Sequence, residues 1–162
     1  MTGKPEILHK RLDNLARHYA ALQEYHGLII ELERQKDIYT PAVFDTLGGR
    51  ERALLDAYLK RYSSLQDYMG AKVFPLLLES VGIAAGKMSE VLATVEREGI
   101  IDSLQAWIEL REIRNDLEHD YPDDLARALS TLHTCVSSFS RLERYYQNVI
   151  EFSRRYGITT IG

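Results

Sequence analysis

A short segment beginning at Arg114 brings together three side chains suited to phosphate chemistry. It reads Arg-Asn-Asp-Leu-Glu-His-Asp-Tyr, and Pro122 follows directly. Arg114 could bind two oxygens of one phosphate at once, His119 could exchange protons near neutral pH, and Tyr121 adds a phenolic hydroxyl. Pro122 disfavours helical backbone at the residue before it, so a helix through Arg114 should end near His119 or Asp120. The segment is a candidate site at a helix end.

Arg114 occupies a position where the helix is otherwise apolar. Spacings of 3, 3, 4 and 3 residues form one helical stripe, which consists of Leu104, Trp107, Leu110, Arg114 and Leu117. A cation on a buried stripe is costly unless it is paired or used. The ordinary alternative is an exposed ion pair with Glu118, one turn later, which would contribute about 0.3–0.5 kcal/mol. The stripe position favours a functional role for Arg114.

His119 and Tyr121 each have an ordinary interpretation as well. His119 could complement the negative end of the helix dipole, and Tyr121 could be a packing residue in a chain with ten tyrosines. Taken singly, those interpretations are favoured. The Arg, His and Tyr side chains together at a helix–proline break are more specific, and they predict phosphate chemistry.

Composition limits the class of protein. The chain has 162 residues, 45% of them hydrophobic and 27% charged, which suits a single globular domain over residues 1–162. Its one cysteine, Cys135, excludes an internal disulfide, and together with the lack of a signal-like N-terminus it predicts a cytoplasmic protein. No apolar run approaches the roughly 20 residues of a membrane span. The net charge of −4 means that any RNA contact must be local.

Hydrophobic periodicity predicts helices throughout. The first helix should run from about Glu6 to Asp37, with a heptad-type seam that is expected in a bundle. A loop from Tyr39 to Gly49 should follow. The second helix is predicted from Arg50 or Glu51 to before Gly82, with a kink at Pro75, and the third from Lys87 to Arg97. The fourth should begin after an N-cap at Asp102, with Gln105 as its capping-box partner. The fifth should run from Pro122 to near Tyr156. The sequence therefore predicts an all-α, antiparallel four- to five-helix bundle.

Other candidate sites are weaker. Glu6 and His9 have the Glu-x-x-His spacing of di-metal bundles, but such a site needs two of these motifs and two further glutamates. His18, His26 and His133 lack partners at ligand spacing. There is no Gly-rich phosphate loop or nucleophile elbow. We therefore predict neither a metal nor a cofactor.

The spacing of Arg114, His119 and Tyr121 resembles the Arg-x4-His-x-Tyr motif of the HepT family, which are all-helical toxins of the HEPN superfamily. Asn115 and Leu117 also resemble the family pattern. The resemblance in helix order covers most of the chain, whereas the specific signal is confined to this motif. It implies an HEPN-like fold and a metal-independent ribonuclease that works as a homodimer, with two motifs facing one cleft.

The resemblance also implies residue roles and partners. Arg114 would bind the scissile phosphate of an RNA, His119 would shuttle a proton, and Asn115 would orient the phosphate or the histidine. A minimal nucleotidyltransferase antitoxin of a type VII-like toxin–antitoxin system would neutralise the protein by transferring AMP from ATP to Tyr121. No cofactor or membrane is implied.

Two alternatives to a ribonuclease remain open. One is a non-catalytic subunit resembling the substrate-binding companions of minimal nucleotidyltransferases, and the other is a helical scaffold in which Arg114 and His119 are structural. The first is favoured by the carboxylates around the motif, which are Asp116, Glu118, Asp120, Asp123 and Asp124. The ribonuclease interpretation predicts a symmetric dimer whose two-fold axis runs near Arg114 and His119.

Overall fold

Helices account for all the regular structure in the described part of the chain. The computed structural model describes residues 3–84, 86–121 and 123–158. Its helices are α1 (Lys4–Gln35), α2 (Pro41–Phe44), α3 (Gly49–Tyr68), a π-helical segment (Met69–Val73), α4 (Phe74–Ser80), α5 (Met88–Arg97), α6 (Leu104–Asp120), α7 (Leu125–Ser137) and α8 (Phe139–Arg155). The predicted all-α helical bundle is confirmed.

The seam of α1 packs against the rest of the molecule. Its leucines and isoleucine are buried, whereas Tyr19 and His26 are partly buried and stack on aromatic rings of α8. Burial of one such side chain contributes roughly 1.5–3 kcal/mol. The buried seam residues are Leu8, Leu12, Leu15, Leu22 and Ile29.

The helix after α3 adapts to Pro75 through a change in hydrogen bonding. Proline cannot donate a backbone hydrogen bond, and its ring crowds the preceding turn. The Phe74 amide donates to the Met69 carbonyl, five residues earlier, and Met69–Val73 forms π-helical turns. The interruption that we predicted as a kink is thus a π-helical segment, a feature that recurs within α-helices.

Two predicted boundaries were wrong. The predicted loop from Tyr39 to Gly49 contains the short helix α2. The predicted fifth helix is interrupted at Ser138, so that α7 and α8 are separate helices. Its predicted first residue, Pro122, lies outside the described residues, and α7 begins at Leu125 after the N-cap Asp124.

The start of α6 also differs from the prediction. Ser103, not Asp102, is the N-cap, because its hydroxyl accepts a hydrogen bond from the Ala106 amide at 3.1 Å. Asp102 instead accepts a hydrogen bond from the Tyr145 hydroxyl at 2.6 Å. Gln105 donates to Glu109. The helix carrying the motif is therefore capped by Ser103 and fixed beside α8 through Asp102.

None of the helices in the described ranges is both long enough and apolar enough to cross a bilayer.

Candidate functional site

Helix α6 carries the motif, and its apolar stripe faces the core. Trp107, Leu110 and Leu117 are buried. The helix ends at Asp120, as predicted, and Tyr121 takes extended backbone angles at its C-cap. This is the conformation expected for a residue that precedes proline.

Arg114 extends from this stripe towards α3. One guanidinium nitrogen donates to the Ser63 carbonyl at 3.1 Å, and the other contacts the Asp67 carboxylate at 2.7 Å. The Arg114 side chain is 15% exposed and that of Asp67 is 58% exposed. The ion-pair partner considered from sequence, Glu118, is not the partner found. Arg114 therefore connects α6 to α3 at a surface that solvent reaches.

A cleft of about 590 Å³ lies beside this ion pair, between α3, α6 and α7. Its size is within the range of small-ligand sites. Arg114 and Glu118 line it from α6 one turn apart, and Tyr121 lines it from the C-cap. The apolar part of the lining comprises Phe44, Leu55, Leu59, Leu117, Ala128, Leu129 and Leu132. The arginine and tyrosine of the motif thus share one cleft.

His119 and Asn115 do not line this cleft. Both are exposed on the last turns of α6. Five residues at 3.6 residues per turn separate Arg114 and His119 by about 140° around the helix axis. Tyr121, in contrast, is 49% exposed at the cleft. Within one chain, the arginine and histidine therefore face different directions.

Charges of both signs surround the cleft. Lys60 and Arg52 add cations, and Asp56 and Asp67 add carboxylates. Arg52 already donates to the backbone carbonyls of three residues, which are Phe44, Asp45 and Leu47. Arg114 is likewise engaged, by its ion pair with Asp67, so Lys60 is the cation of the lining that has neither kind of contact among the described residues.

Local contacts engage two of the carboxylates around the motif. Asp120 forms an ion pair with Arg127 at 3.3 Å. Asp124 accepts a hydrogen bond from the Arg127 amide at 3.2 Å and so caps α7. The repulsion that these two groups exert on an RNA phosphate is reduced by those contacts.

Sequence reasoning missed the α3 and α7 side of the site. Asp67 and Ser63 are far from Arg114 in sequence, and no local spacing identifies them as its partners. Among the described residues, no group of three or more His, Cys, Asp or Glu side chains is arranged to hold a metal ion. Glu6 is exposed and His9 is partly exposed near the start of α1.

Comparison with known proteins provides no family assignment. No protein-family model, curated protein or solved structure gives a significant match to the chain.

Proposed function

We propose that the protein is a metal-independent endoribonuclease of the HEPN type and acts as a toxin in a toxin–antitoxin pair. The observation that carries the proposal is the position of Arg114. It lines an open cleft with Tyr121, and His119 is exposed on the same helix end. These are the three residue types that the resemblance requires, at a surface that RNA can reach.

The chemistry uses the RNA itself as the source of the nucleophile. The ribose 2′-hydroxyl attacks the neighbouring phosphorus, and the bond to the 5′-oxygen of the next nucleotide breaks. His119 takes the proton from the 2′-hydroxyl and delivers it to the departing 5′-oxygen, and Arg114 stabilises the charge on the phosphate. Asn115 orients the phosphate. The reaction leaves a cyclic phosphate and a free 5′-hydroxyl.

A second copy of the chain completes the site. Arg114 and His119 diverge around α6, so one chain directs them poorly at one phosphate. In a two-fold dimer, Arg114 of one protomer and His119 of its partner can face the same cleft. This geometry supports a homodimer with composite sites.

The main experiment is RNA cleavage in EDTA by the purified protein. We expect a single-stranded RNA to be cut, and Arg114→Ala and His119→Ala to abolish cutting. Arg111→Ala and His9→Ala serve as matched controls, since Arg111 is exposed on the same helix and His9 lies on α1. Cleavage that survives both motif substitutions would contradict the assigned roles.

Mixing the two inactive variants tests the composite site. A dimer of Arg114→Ala with His119→Ala retains one intact arginine and one intact histidine, and these lie on different protomers. Partial recovery of cleavage is expected if they act together across the interface. A monomer in sedimentation, or a mixture that stays inactive, would contradict the composite site.

Regulation would act on Tyr121. A nucleotidyltransferase partner would transfer AMP from ATP to its hydroxyl and release pyrophosphate. The side chain is 49% exposed at the cleft, so the adduct would place bulk and negative charge where RNA binds. Mass spectrometry after coexpression with the neighbouring gene should detect the adduct, and Tyr121→Phe should prevent it.

The second candidate function is a non-catalytic subunit of a nucleotidyltransferase. The specific observation is that Asp67 already occupies Arg114 at 2.7 Å and that Glu118 lines the same cleft. This candidate predicts tight binding to the nucleotidyltransferase, no RNA cleavage and no growth arrest on expression. Growth arrest that depends on His119 would exclude it.

A further inference from the structure

A second polar surface lies on a different flank of α3 from the cleft, because Arg61 and Tyr68 are about 100° or more around the helix from Ser63 and Asp67. There α1 and the helix containing α3 and the π-helical segment run side by side, and three polar contacts join them. Arg11 donates to the Lys72 carbonyl at 2.9 Å, and Asn14 donates to the Tyr68 hydroxyl at 3.1 Å. The third contact joins Arg61 to the His18 Nδ1 atom at 3.1 Å. We call this surface, with the neighbouring Arg17, the α1–α3 strip.

The α1–α3 strip carries more cations than carboxylates, with Asp13 one turn before Arg17 on α1. Among the described residues, none of Arg11, Arg17, Arg61 and Lys72 forms an ion pair. Arg61 instead faces His18, and because an arginine only donates, the His18 nitrogen must be a neutral acceptor. Burial, and then the charge of Arg61, lower the pKa of His18 and keep the ring neutral. A concentration of positive charge is therefore built into a protein whose net charge is −4.

The shape of the strip indicates what kind of anion it fits. Arg11 and His18 are seven residues apart on α1, which places Arg11 about 10.5 Å along the helix from the contact between Arg61 and His18. A single phosphate cannot span that distance, whereas consecutive phosphates of a polymer can. Tyr68 lies between the cations, is partly exposed and packs against His18 with ring centres 5.3 Å apart. Cations interleaved with an aromatic ring suit a single-stranded nucleic acid, since unpaired bases stack on such rings.

We propose that the α1–α3 strip binds the phosphate backbone of the single-stranded RNA, with Tyr68 stacking against a base. The proposal rests on the ribonuclease function proposed above and extends the substrate path beyond the cleft. Arg114 contacts Ser63 and Asp67 on the other flank of α3. A helix is about 10–12 Å across, so a strand bound in the strip reaches Arg114 by crossing α3. The strip holds the strand, and the end of α6 cuts it.

The test measures binding of a fluorescent single-stranded RNA by anisotropy in the His119→Ala background, in which the probe stays intact. The strip variant combines Arg11→Gln, Arg17→Gln and Lys72→Gln. Its control combines Arg50→Gln, Arg97→Gln and Arg154→Gln, which remove the same charge from exposed positions elsewhere. We expect the strip variant to bind about tenfold more weakly and its salt dependence to flatten by about two units, because three phosphate contacts are lost. The control should bind like its parent.

Tyr68 tests the stacking separately. We expect Tyr68→Ala to weaken binding by about fivefold or more and Tyr68→Phe to keep it, because stacking needs the ring and not the hydroxyl. Equal losses in both variants would contradict stacking.

The outcomes separate this proposal from the proposed function. If the wild-type chain cuts RNA and the strip variant binds RNA like the control, RNA binding by the strip is contradicted and the proposed ribonuclease function stands. If the strip variant loses binding but the wild-type chain cuts no RNA, the strip stands and the ribonuclease fails. A parent that binds a polyglutamate peptide but no RNA would assign the strip to an acidic protein and overturn the proposal.

Discussion

The two halves of α6 differ in how they are held. In residues 104–110, buried side chains of α3 donate to backbone carbonyls of α6. Tyr62 donates to the Leu110 carbonyl and Gln66 to the Trp107 carbonyl, both at 2.9 Å. In residues 114–120, Arg114 bonds to Ser63 and Asp67 of α3, and the cleft opens beside it.

This difference separates stability from function along one helix. The first half fixes the axis of α6 by burial and by two hydrogen bonds that are themselves buried away from water. In the second half Leu117 is buried, whereas Asn115, Glu118 and His119 are exposed, so these polar side chains can meet a ligand without disturbing the core. Substitutions in the first half should therefore change the free energy of unfolding, and substitutions in the second half should change binding or cleavage.

The largest expected effect is that of Trp107→Ala. The indole is 1% exposed and packs against Phe74 with ring centres 5.1 Å apart, and a Cβ atom at Gly70 would lie 3.0 Å from it. Removing it should lower the free energy of unfolding by about 3–5 kcal/mol in urea denaturation. Ile108→Ala is the matched control. Ile108 is 37% exposed, so its removal should lower the free energy of unfolding far less than that of Trp107. Equal losses would contradict the assigned role of the first half.

Tyr62→Phe should have the next largest effect. The hydroxyl is buried and donates to the Leu110 carbonyl, so its loss should lower the free energy of unfolding by about 1 kcal/mol. Tyr121→Phe removes a hydroxyl from the exposed C-cap of α6 and should leave stability unchanged. Thermal unfolding of both variants checks the contrast, and a larger loss for Tyr121→Phe would reverse it.

These contrasts also show what the sequence could predict. The spacing of apolar residues identified the buried face of α6 correctly, including Trp107, Leu110 and Leu117. Heptad-type seams likewise predicted an all-helical bundle, because burial of one face is a local pattern repeated along the chain. Such patterns do not encode which helix covers that face.

The errors have two physical causes. Some errors arose because the partner of a side chain is distant in sequence. Arg114 pairs with Asp67, 47 residues away, and Asp102 accepts a hydrogen bond from Tyr145, 43 residues away, and is not the N-cap. Elsewhere the local signal was absent. Neither proline nor glycine marks the interruption at Ser138, and apolar spacing continues through it.

Asp67→Asn should change the free energy of unfolding less than Trp107→Ala or Tyr62→Phe does, and it should change RNA binding more. Asp67 is 58% exposed, so its ion pair with Arg114 contributes less than about 1 kcal/mol. Removing the carboxylate leaves the guanidinium free to meet a phosphate, and RNA should bind more tightly in anisotropy measurements. Asp56→Asn removes the same charge from the cleft lining without touching the Arg114 ion pair. Equal tightening in both variants would indicate a general charge effect and not a release of Arg114.

The smallest expected effect lies at the start of α6. The hydrogen bond from Tyr145, and then the charge of Arg141, hold the pKa of Asp102 below its usual value of 3.8. A lowered carboxyl pKa stabilises the folded state fully above pH 3.8, and this stabilisation is lost as the pH falls through the lower folded value. Asp102→Asn should therefore lower the free energy of unfolding only slightly at pH 7, and it should have no effect once the pH is below the pKa of Asp102 in the folded protein.

Titration of the Asp102 carboxyl carbon by NMR measures this pKa directly. The same hydrogen bond joins α8 to the start of α6, and burial together with this carboxylate raises the pKa of Tyr145 to about 12. Tyr145→Phe removes the hydrogen bond, so the pKa of Asp102 should return towards 3.8. An unchanged titration in that variant would mean that Arg141 alone holds the carboxylate. The contact of Asp102 with α8 would then depend on an exposed ion pair, and salt should weaken it in the same way as the Arg114–Asp67 pair at the other end of α6.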